Sequence, residues 1–230
     1  DALEAVTATS PTYSGEELAR AKAIAALLGA RHEVVQTRED ADPDYRANPP
    51  ERCYFCKREL FGVLAAIAAR AGGAVVLDGT NDDDRDDFRP GHRAAVETGV
   101  RSPLLELKIG KAALRSMARD RGLPNWDQPA CACLASRIPY GVEITPERLT
   151  RIARAEAAIR ALGFRVVRVR NHGTVARIEV GPDEVGRLLD PAVRAGVAAG
   201  CRDAGFPYAA ADLEGYRTGS MNDVLPGRTP

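Results

Sequence analysis

The first half of the chain alternates short apolar runs with amphipathic stretches. Apolar runs at residues 5–8 and 74–77 predict short buried strands, and residues 32–36 predict a further strand. Between these runs, the periodicity predicts helices over residues 14–28 and 57–70. An alternation of strands and helices is typical of a parallel α/β layer. We therefore predict a parallel sheet in this part of the chain.

A polar turn, DGTN at residues 78–81, follows the third predicted strand directly. Open parallel sheets bind ligands at the carboxyl ends of their strands, so we expect a ligand at this turn. A further α/β unit is predicted from residues 102–107 and a helix over residues 111–121, which Gly122 ends.

Periodicity stops after Pro124. Residues 125–141 contain two prolines and the cysteines Cys131 and Cys133, with no apolar repeat. This pattern predicts a loop at a domain junction.

The last third of the chain has the pattern of an α+β unit. A helix is predicted over residues 145–162, with Thr145 as the N-cap and Pro146 in the first turn. Two alternating segments, 164–170 and 174–180, are joined by an Asn-His-Gly turn and predict a hairpin. The remaining predicted elements are helices over residues 183–189 and 191–204 and a strand over residues 206–211.

Composition sets broad limits on function. The chain has 230 residues, of which 45% are hydrophobic and 28% are charged, so it can form one large domain or two modest ones. Its 32 basic and 32 acidic residues leave no net charge, which makes nucleic acid an unlikely partner because counterion release needs a basic surface. No apolar stretch approaches the roughly 20 residues that span a bilayer, and the first residues do not resemble a signal peptide. We therefore predict a cytoplasmic protein that does not bind membranes.

Five cysteines are the first candidates for chemistry. Four fall in two tight pairs, Cys53/Cys56 and Cys131/Cys133, whereas Cys201 lies among small residues of a predicted helix and is expected to be structural. In a cytosolic chain, such pairs indicate metal binding or thiol chemistry. A CxxC pair serves zinc, an iron–sulfur cluster or redox chemistry, and two half-buried cysteines at a helix start fit it as well. The three histidines do not stand at ligand spacing, so a cluster with three cysteine ligands and one open iron is reasonable, with structural zinc as the alternative.

Charged residues form two further candidate groups. Residues 82–87 (DDDRDD) could hold Mg²⁺ beside a phosphate, although acidic runs are more often solvated faces. Arg168 and Arg170 share one face of a predicted strand because side chains alternate. Two neighbouring guanidinium groups suit a phosphate or a carboxylate, although arginines also protect edge strands from aggregation. Glu156 and Glu179 could be their structural salt-bridge partners.

Six motifs in order resemble one known family. They are RCYFCK (52–57), DGTNDDD (78–84), FRPGHRAAVETGVRSPLLEL (88–107), GLPNWDQPACACLASRIPYGVEIT (122–145), RVRNHGTVARIEV (168–180) and DLEGYRTGSMN (212–222). Over nearly its whole length the chain resembles LarE, the ATP-dependent sacrificial sulfur transferases of the PP-loop ATP pyrophosphatases, and ACLASRIPYG makes the match specific. The resemblance implies an α/β fold: a parallel-sheet PP-loop domain, like that of the adenine nucleotide alpha hydrolases, with a smaller C-terminal α+β domain. The implied boundaries are residues 1–124 for the PP-loop domain, 125–144 for an active-site loop, and 145–230 for substrate binding and oligomerisation.

The resemblance also implies a reaction in the synthesis of the nickel-pincer nucleotide cofactor. With ATP and Mg²⁺, the family adenylylates a carboxylate of pyridinium-3,5-biscarboxylic acid mononucleotide. A cysteine thiolate then displaces AMP, and the sulfur is passed on to leave a thiocarboxylate. The logic is that a carboxylate is a poor electrophile until its oxygen becomes a good leaving group, and that a thiolate is the nucleophile for the acyl adenylate.

Cysteine roles follow from the same resemblance. Cys133, in ACLASR, matches the sulfur-donating cysteine of members that use one. In members with three cysteines, the positions of Cys53, Cys56 and Cys133 would hold a [4Fe-4S] cluster whose open iron carries an extra sulfide. This chain has the three-cysteine set, so the resemblance favours the cluster, and Cys131 leaves the assignment between positions 131 and 133 open.

Other roles carry over by position. Arg137 would bind phosphate near the transferring cysteine, and Arg168 and Arg170 would bind the nucleotide phosphate of the substrate. The substrate side would also be shaped by Glu156, Glu179, Asp212 and Arg217. The ATP side would involve Thr7, Thr9, Ser10, Gly79 and Asn81. Members form homo-oligomers, which we expect here as well.

One family feature is missing from the sequence. A PP-loop protein opens with a strand and an SGGxDS loop whose amides and hydroxyls hold the pyrophosphate of ATP, and no such motif occurs here. Residues 5–8 correspond to the family's second strand, so the sequence is expected to begin about forty residues late, the usual size of one βαβ unit.

Two alternative functions stay open at this stage. One is another PP-loop activity, such as tRNA thiolation or amidation, and the neutral charge counts against the tRNA enzyme. The other is a non-catalytic nucleotide-binding homologue, which the missing loop favours. ATP-dependent release of AMP would separate an enzyme from such a module.

Overall fold

A computed structural model of the chain describes residues 3–85, 87–129 and 131–225. Asp86, in the acidic run, lies outside the described residues. The chain divides into a first unit, residues 1–10 and 15–130, and a second unit, residues 11–14 and 131–230. The predicted α/β class is confirmed, because a parallel two-stranded sheet lies near the N-terminus and a mixed three-stranded sheet near the C-terminus.

The first unit begins with the predicted strand, helix and strand. They are β1 (Glu4–Thr9), α1 (Gly15–Leu27) and β2 (Arg31–Gln36). β1 and β2 are parallel and stay in register from Glu4 opposite Arg31 to Thr9 opposite Gln36. The two strands and the helix are confirmed, with boundaries shifted by one or two residues, but the predicted burial of residues 5–8 is wrong, because these residues are only partly buried.

Helices make up most of the rest of the first unit. Phe61 is almost fully buried against Ala94 and Ala95, and these residues form the centre of a small apolar core. The helices are α2 (Pro43–Arg46), α3 (Arg52–Arg70), α4 (Gly91–Glu97), α5 (Pro103–Glu106) and α6 (Lys111–Asp120), with 3₁₀ turns at Glu39–Ala41 and Asp82–Asp84.

Helix α3 begins earlier than predicted. Its first residue is Arg52 rather than residue 57, so Cys53 and Cys56 lie within its first two turns and do not precede it. The apolar periodicity on which the prediction relied starts only at Leu60, but no residue between 52 and 57 opposes helix formation.

The prediction of a buried strand at residues 74–77 is wrong. Within the described residues this run makes only a parallel bridge between Leu77 and Arg101, and Val75 is 63% exposed. An apolar run is stable as a parallel strand only when neighbouring strands and helices cover it, and the sequence of the run does not specify those neighbours.

Residues 102–107 do not supply a strand to the predicted further α/β unit. They form the short helix α5, which has Pro103 in its first turn. Proline disfavours a strand here because it has no N–H to donate to a neighbouring strand. It favours the first turn of a helix because its φ is fixed near the helical value.

The second unit follows its predicted pattern closely. Thr145 caps α7 by accepting a hydrogen bond from the Arg148 N–H at 3.3 Å. β3 pairs antiparallel with β4, and β5 pairs parallel with β4, so the predicted hairpin is confirmed. The predicted helix at residues 183–189 is a 3₁₀ helix. The elements are α7 (Pro146–Arg160), β3 (Val167–His172), β4 (Val175–Val180), α8 (Pro191–Asp203) and β5 (Tyr208–Ala211), with 3₁₀ segments at Leu134–Arg137, Pro182–Leu189 and Ser220–Asn222.

Alternation gives the β3–β4 hairpin an apolar face and a charged face. The apolar face joins the buried core of the unit, whereas the other face brings ionisable side chains together over two adjacent strands. The apolar positions are Val167, Val169, Ala176, Ile178 and Val180, and the charged or polar positions are Arg168, Arg170, His172, Arg177 and Glu179.

Cys201 lies fully buried in α8. Burial raises the pKa of its thiol to about 11. A thiol that stays protonated is a poor nucleophile and a poor metal ligand, which supports the structural role predicted for this residue.

Candidate functional site

The loop that carries Cys131 and Cys133 is anchored within the second unit. Cys131 is exposed and Cys133 is partly buried. The N–H of Leu134 donates to the carbonyl of Thr12 at 3.0 Å, and both the N–H and the hydroxyl of Ser136 donate to the Cys133 carbonyl, at 3.0 and 2.8 Å. The backbone on the C-terminal side of Cys133 is therefore fixed by a tight 3₁₀ turn.

Arg137 ends this turn and is almost fully buried. Its Nε and Nη2 donate to the two carboxylate oxygens of Glu156 at 2.8 and 3.3 Å, and its Nη1 donates to the carbonyls of Ala132 and Cys133 at 2.5 and 3.0 Å. Burial alone would lower the pKa of Arg137, but the Glu156 carboxylate, together with Cys133 and Cys131, raises that pKa above its ordinary value. The guanidinium therefore stays charged in the interior.

Glu156, on α7, has no exposed surface. Besides Arg137, its carboxylate accepts hydrogen bonds from Arg160 at 2.6 Å and from the N–H of Val169 in β3 at 3.0 Å. Buried carboxylates need such partners because an unpaired charge in the interior is costly. Glu156 thus joins the cysteine loop, α7 and the hairpin.

Arg170 and Glu179 form a second buried pair on the charged face. Nε and Nη2 of Arg170 donate to the two Glu179 oxygens at 2.9 and 2.6 Å. Nη1 of Arg170 also donates to the carbonyl of Ser136 at 3.0 Å. The arginine expected to bind substrate phosphate therefore also links the hairpin to the cysteine loop.

The charged face includes two further residues, Arg177 and His172, of which Arg177 is identifiable from the sequence as an arginine of the second hairpin strand. Arg177 lies between two acids: its Nη2 is 3.2 Å from Glu179, and its Nη1 pairs closely with Asp212. Its Nε donates to Nε2 of His172 at 3.3 Å. Burial, followed by the charges of Arg177 and Arg170, holds the pKa of His172 below its ordinary value. Alternation along β3 and β4 was the signal that could have placed both residues here.

Arg168 and Arg217 occupy different surroundings. Arg168 is buried, donates to the Val167 carbonyl at 2.9 Å and stacks on the ring of Tyr216 at 4.9 Å. Burial and the nearby charge of Arg137 lower the pKa of Arg168. Arg217 is an exposed residue that pairs with Glu214 at 2.8 Å and Asp223 at 3.2 Å.

The residues expected on the ATP side lie in the first unit, in and after β1 and in the DGTN turn. Thr7 Oγ1 is 2.9 Å from Nε2 of His32 in the neighbouring strand. The Thr9 carbonyl accepts from the N–H of Thr37 at 3.1 Å, and the hydroxyl of Ser10 donates to Glu39 at 2.5 Å. Thr9 and Ser10 thus lie at the carboxyl end of β1, and Thr7 lies two residues before that end.

The DGTN turn is held by hydrogen bonds between side chains. Asp78 accepts hydrogen bonds from the Thr80 hydroxyl and the Ser102 hydroxyl, both at 2.7 Å. Gly79 has open space where a side chain would point. Asn81 is buried and forms a capping box with Asp84, whose carboxylate accepts from Asn81 Nδ2 at 2.9 Å and from the Asn81 N–H at 3.2 Å.

The acidic run is neutralised by nearby basic and backbone groups. Asp82 pairs with Arg85 at 2.6 Å, and Asp83 accepts from the N–H of Lys111 at 2.5 Å. Asp84 lies close to both the Lys111 amine, at 2.9 Å, and Arg89. Burial would raise the pKa of Asp84, but the hydrogen bond from Lys111, followed by that from Asn81 and by the charge of Arg89, lowers it.

Cys53 is exposed and Cys56 is partly buried in the first turns of α3. Gly91, the first residue of α4, approaches this turn closely, since a Cβ there would lie 3.2 Å from the Cys53 carbonyl and 2.8 Å from Cγ of Lys57. Within the described residues, no group of three or more His, Cys, Asp or Glu side chains is arranged to hold a metal ion. Cys53 and Cys56 belong to the first unit and Cys133 to the second.

Comparisons with known proteins place the chain among curated relatives, although no protein-family model matches it. The chain is 48% identical over 221 residues to an uncharacterized protein of Synechocystis sp., covering 96% of this chain and 82% of that protein. It is 37% identical over 225 residues to the pyridinium-3,5-bisthiocarboxylic acid mononucleotide synthase of Lactiplantibacillus plantarum, covering 98% of this chain and 81% of the synthase. An uncharacterized protein of Methanocaldococcus jannaschii is 33% identical over 171 residues, which cover 74% of this chain and 66% of that protein.

The fold and the site together define an α/β protein with a cysteine-bearing loop tied to an arginine-rich hairpin. Because the chain is 37% identical to the Lactiplantibacillus synthase over 98% of its length, it belongs to the LarE family. In the part of the chain that the structure describes, no helix is long and apolar enough to cross a membrane.

Proposed function

We propose that this protein is an ATP-dependent sulfur transferase that converts a carboxylate of pyridinium-3,5-biscarboxylic acid mononucleotide into a thiocarboxylate. The observation that carries the proposal is the similarity, over 98% of the chain, to a relative whose name states the bisthiocarboxylated product. The reaction contributes sulfur to the nickel-pincer nucleotide cofactor, and its cofactors are ATP and Mg²⁺.

The activation step makes the carboxylate reactive. A carboxylate oxygen of the substrate attacks the α-phosphorus of ATP, which forms an acyl adenylate and releases pyrophosphate. The sulfur nucleophile then attacks the acyl carbon, the C–O bond to the phosphate breaks, and AMP leaves with the electron pair of that bond. Substrate-dependent AMP release is therefore the first signature of the activity.

On the ATP side, we propose that Thr7, Thr9 and Ser10 border the adenine and that Gly79 and Asn81 meet the nucleotide. The buried Asn81 supports this assignment, because its hydrogen bonds with Asp84 hold its side chain in one orientation within the turn. The open space beside Gly79 allows a ligand to approach the backbone there.

On the sulfur side, we propose that Cys133 takes part in transfer, with Cys131 as the neighbouring thiol that could replace it. The hydrogen bonds from Arg137 to the carbonyls of Ala132 and Cys133 support the proposal, because they fix the loop backbone on both sides of Cys133 and so position its thiol. The substrate phosphate would bind on the charged face of the hairpin beside Arg168 and Arg170. An anion at that position would offset the like charges of Arg137 and Arg168.

We further propose that Cys53, Cys56 and Cys133 hold a [4Fe-4S] cluster. Cysteine thiolates are the usual ligands of iron–sulfur clusters, three of them leave one iron open, and none of these three cysteines is fully buried. When bound, the cluster would supply the transferred sulfur as an extra sulfide on its open iron, so that no protein sulfur is consumed. The alternatives are a sacrificial Cys133 without a cluster and a structural zinc.

The test is iron and acid-labile sulfide content of the protein prepared without oxygen, measured beside thiocarboxylate formation by mass spectrometry. About four irons per chain, lost in Cys53→Ala, Cys56→Ala and Cys133→Ala but retained in Cys201→Ala, would support the cluster. Thiocarboxylate formation without iron, with loss of sulfur from Cys133 in one turnover, would instead support the sacrificial route. Absence of substrate-dependent AMP release would overturn the proposed function and favour a non-catalytic nucleotide-binding protein.

A further inference from the structure

The guanidinium of Arg137 is engaged on both of its sides by the protein itself. One side meets the Glu156 carboxylate, and the Nη1 group donates to the carbonyls of Ala132 and Cys133 and to the hydroxyl of Ser136 at 2.9 Å. Nη1 has two hydrogens, and these three acceptors already share them. A phosphate could reach this nitrogen only by displacing part of the cysteine loop.

The two carbonyls of Ala132 and Cys133 point toward the same nitrogen. Converging carbonyl dipoles repel one another unless a cation lies between them, and Arg137 supplies that cation in the interior. These carbonyls flank the Cα of Cys133 along the backbone. Their orientation therefore fixes the direction in which the Cys133 side chain leaves the loop.

Glu156 keeps the guanidinium in this orientation. It contacts Arg137 through both of its oxygens and is itself held by Arg160 and by the N–H of Val169. Because Glu156 has no exposed surface, neither partner can turn toward solvent without leaving a buried charge unpaired. The pair therefore acts as a rigid support for the loop.

We propose that Arg137 is a positioning residue for Cys133, anchored by Glu156, and not a ligand for phosphate. The inference rests on the proposed function only in giving Cys133 a role in sulfur transfer. The support of the loop itself follows from the contacts of Arg137 and is tested separately from that role.

The experiment compares Arg137→Gln with Arg160→Gln in the full chain. Both variants remove a partner of Glu156, and Arg137→Gln also removes the bonds to the Ala132 and Cys133 carbonyls of the cysteine loop. Hydrogen–deuterium exchange measures the opening rates of the Leu134 and Ser136 amides, which donate to the carbonyls of Thr12 and Cys133. The amides of the β3–β4 hairpin report whether the unit stays folded.

Arg137→Gln is expected to speed exchange of the Leu134 and Ser136 amides by about tenfold or more, because charge-assisted hydrogen bonds that hold the loop are lost. Arg160→Gln should leave those two rates within about twofold of the unmodified protein. If Arg137→Gln also loosens the hairpin, Arg137→Lys keeps the charge and should give a smaller effect confined to the loop. Unchanged loop amides in a folded Arg137 variant, or equal effects of the Arg137 and Arg160 variants, would overturn the proposal.

Kinetics distinguish positioning from phosphate binding. If Arg137 positions Cys133, Arg137→Gln lowers the kcat for thiocarboxylate formation and leaves the KM for the pyridinium mononucleotide unchanged. If Arg137 binds the phosphate instead, that KM rises, which would overturn the proposal. A protein that makes no thiocarboxylate at all would refute the proposed function, while the exchange measurement would still decide whether Arg137 supports the loop.

Discussion

Arg170 and Glu179 pair diagonally across the β3–β4 hairpin rather than directly opposite each other. In the strand register, Arg170 faces Arg177 and Glu179 faces Arg168. The bidentate bond from Arg170 at 2.9 and 2.6 Å therefore runs between diagonal neighbours, with Arg177 3.2 Å from the same carboxylate. Like charges directly opposite each other destabilise a hairpin, and Glu179 offsets the repulsion between the two arginines.

We expect Glu179→Gln to destabilise the second unit by about 3–5 kcal/mol, because it leaves the buried Arg170 without its carboxylate partner and removes one of the two acids beside Arg177. The free energy of unfolding is measured by urea titration, followed by circular dichroism. Glu214→Gln is the control: it removes the exposed partner of Arg217 at 2.8 Å, and the expected cost is at most about 1 kcal/mol. Equal costs for the two substitutions would contradict the role assigned to Glu179.

The depressed pKa of His172 predicts a pH dependence of stability. Burial and the charges of Arg177 and Arg170 lower this pKa from its ordinary value of 6.5, so the unfolded chain binds the His172 proton more readily than the folded chain does. The contribution of His172 to the free energy of unfolding is therefore complete above its ordinary pKa of 6.5. It is lost as the pH falls through the pKa of His172 in the folded state.

Proton NMR titration of the three histidines checks this prediction, with His172→Asn identifying the resonance. We expect the His172 resonance to titrate below the value of an exposed histidine and the His172→Asn variant to lose part of the decline in stability at acidic pH. A His172 pKa at or above 6.5 would show that Arg177 and Arg170 do not act on the ring as the geometry indicates.

Close helix packing at Gly200 predicts an unusual response to alanine. A Cβ at Gly200 of α8 would lie 2.6 Å from the Cβ of Ala158 in α7, so the helices must separate to admit it. Alanine usually stabilises a helix relative to glycine, but here we expect Gly200→Ala to destabilise the protein by about 1–3 kcal/mol.

Gly186 provides the matched control for this substitution, because its added Cβ would have no atom within 4 Å. Gly186→Ala should change the free energy of unfolding by about 0.5 kcal/mol or less. Thermal or urea unfolding measures the free energy of unfolding of both variants and of the unmodified protein. A stabilised Gly200→Ala protein would mean that α7 and α8 do not pack as closely as described.

Elements with local signals were predictable from sequence. The N-cap Thr145 followed by Pro146 marks the start of α7, and alternation on both sides of the Asn-His-Gly turn marks the hairpin. The same alternation placed Arg168 and Arg170 on one face. These signals involve residues a few positions apart, which the backbone geometry of helices and strands relates directly.

Elements that depend on distant neighbours were not predictable in the same way. The apolar run at residues 74–77 has the composition of a buried strand, yet it makes only the bridge from Leu77 to Arg101 in the described part of the chain. Likewise, the start of α3 at Arg52 has no apolar repeat to mark it, so the position of Cys53 and Cys56 inside the helix emerged only from the structure.

The sequence by itself determined the motifs, the order of the elements and the cysteines and arginines available for chemistry. Only the tertiary structure decided how the charges pair: Arg137 with Glu156, 19 residues away, and Arg170 with Glu179 across the hairpin. Either glutamate could have served either arginine on sequence grounds. Because a buried ion pair forms only where folding brings both groups together away from water, the pairing belongs to the packing of α7 against the hairpin and the cysteine loop.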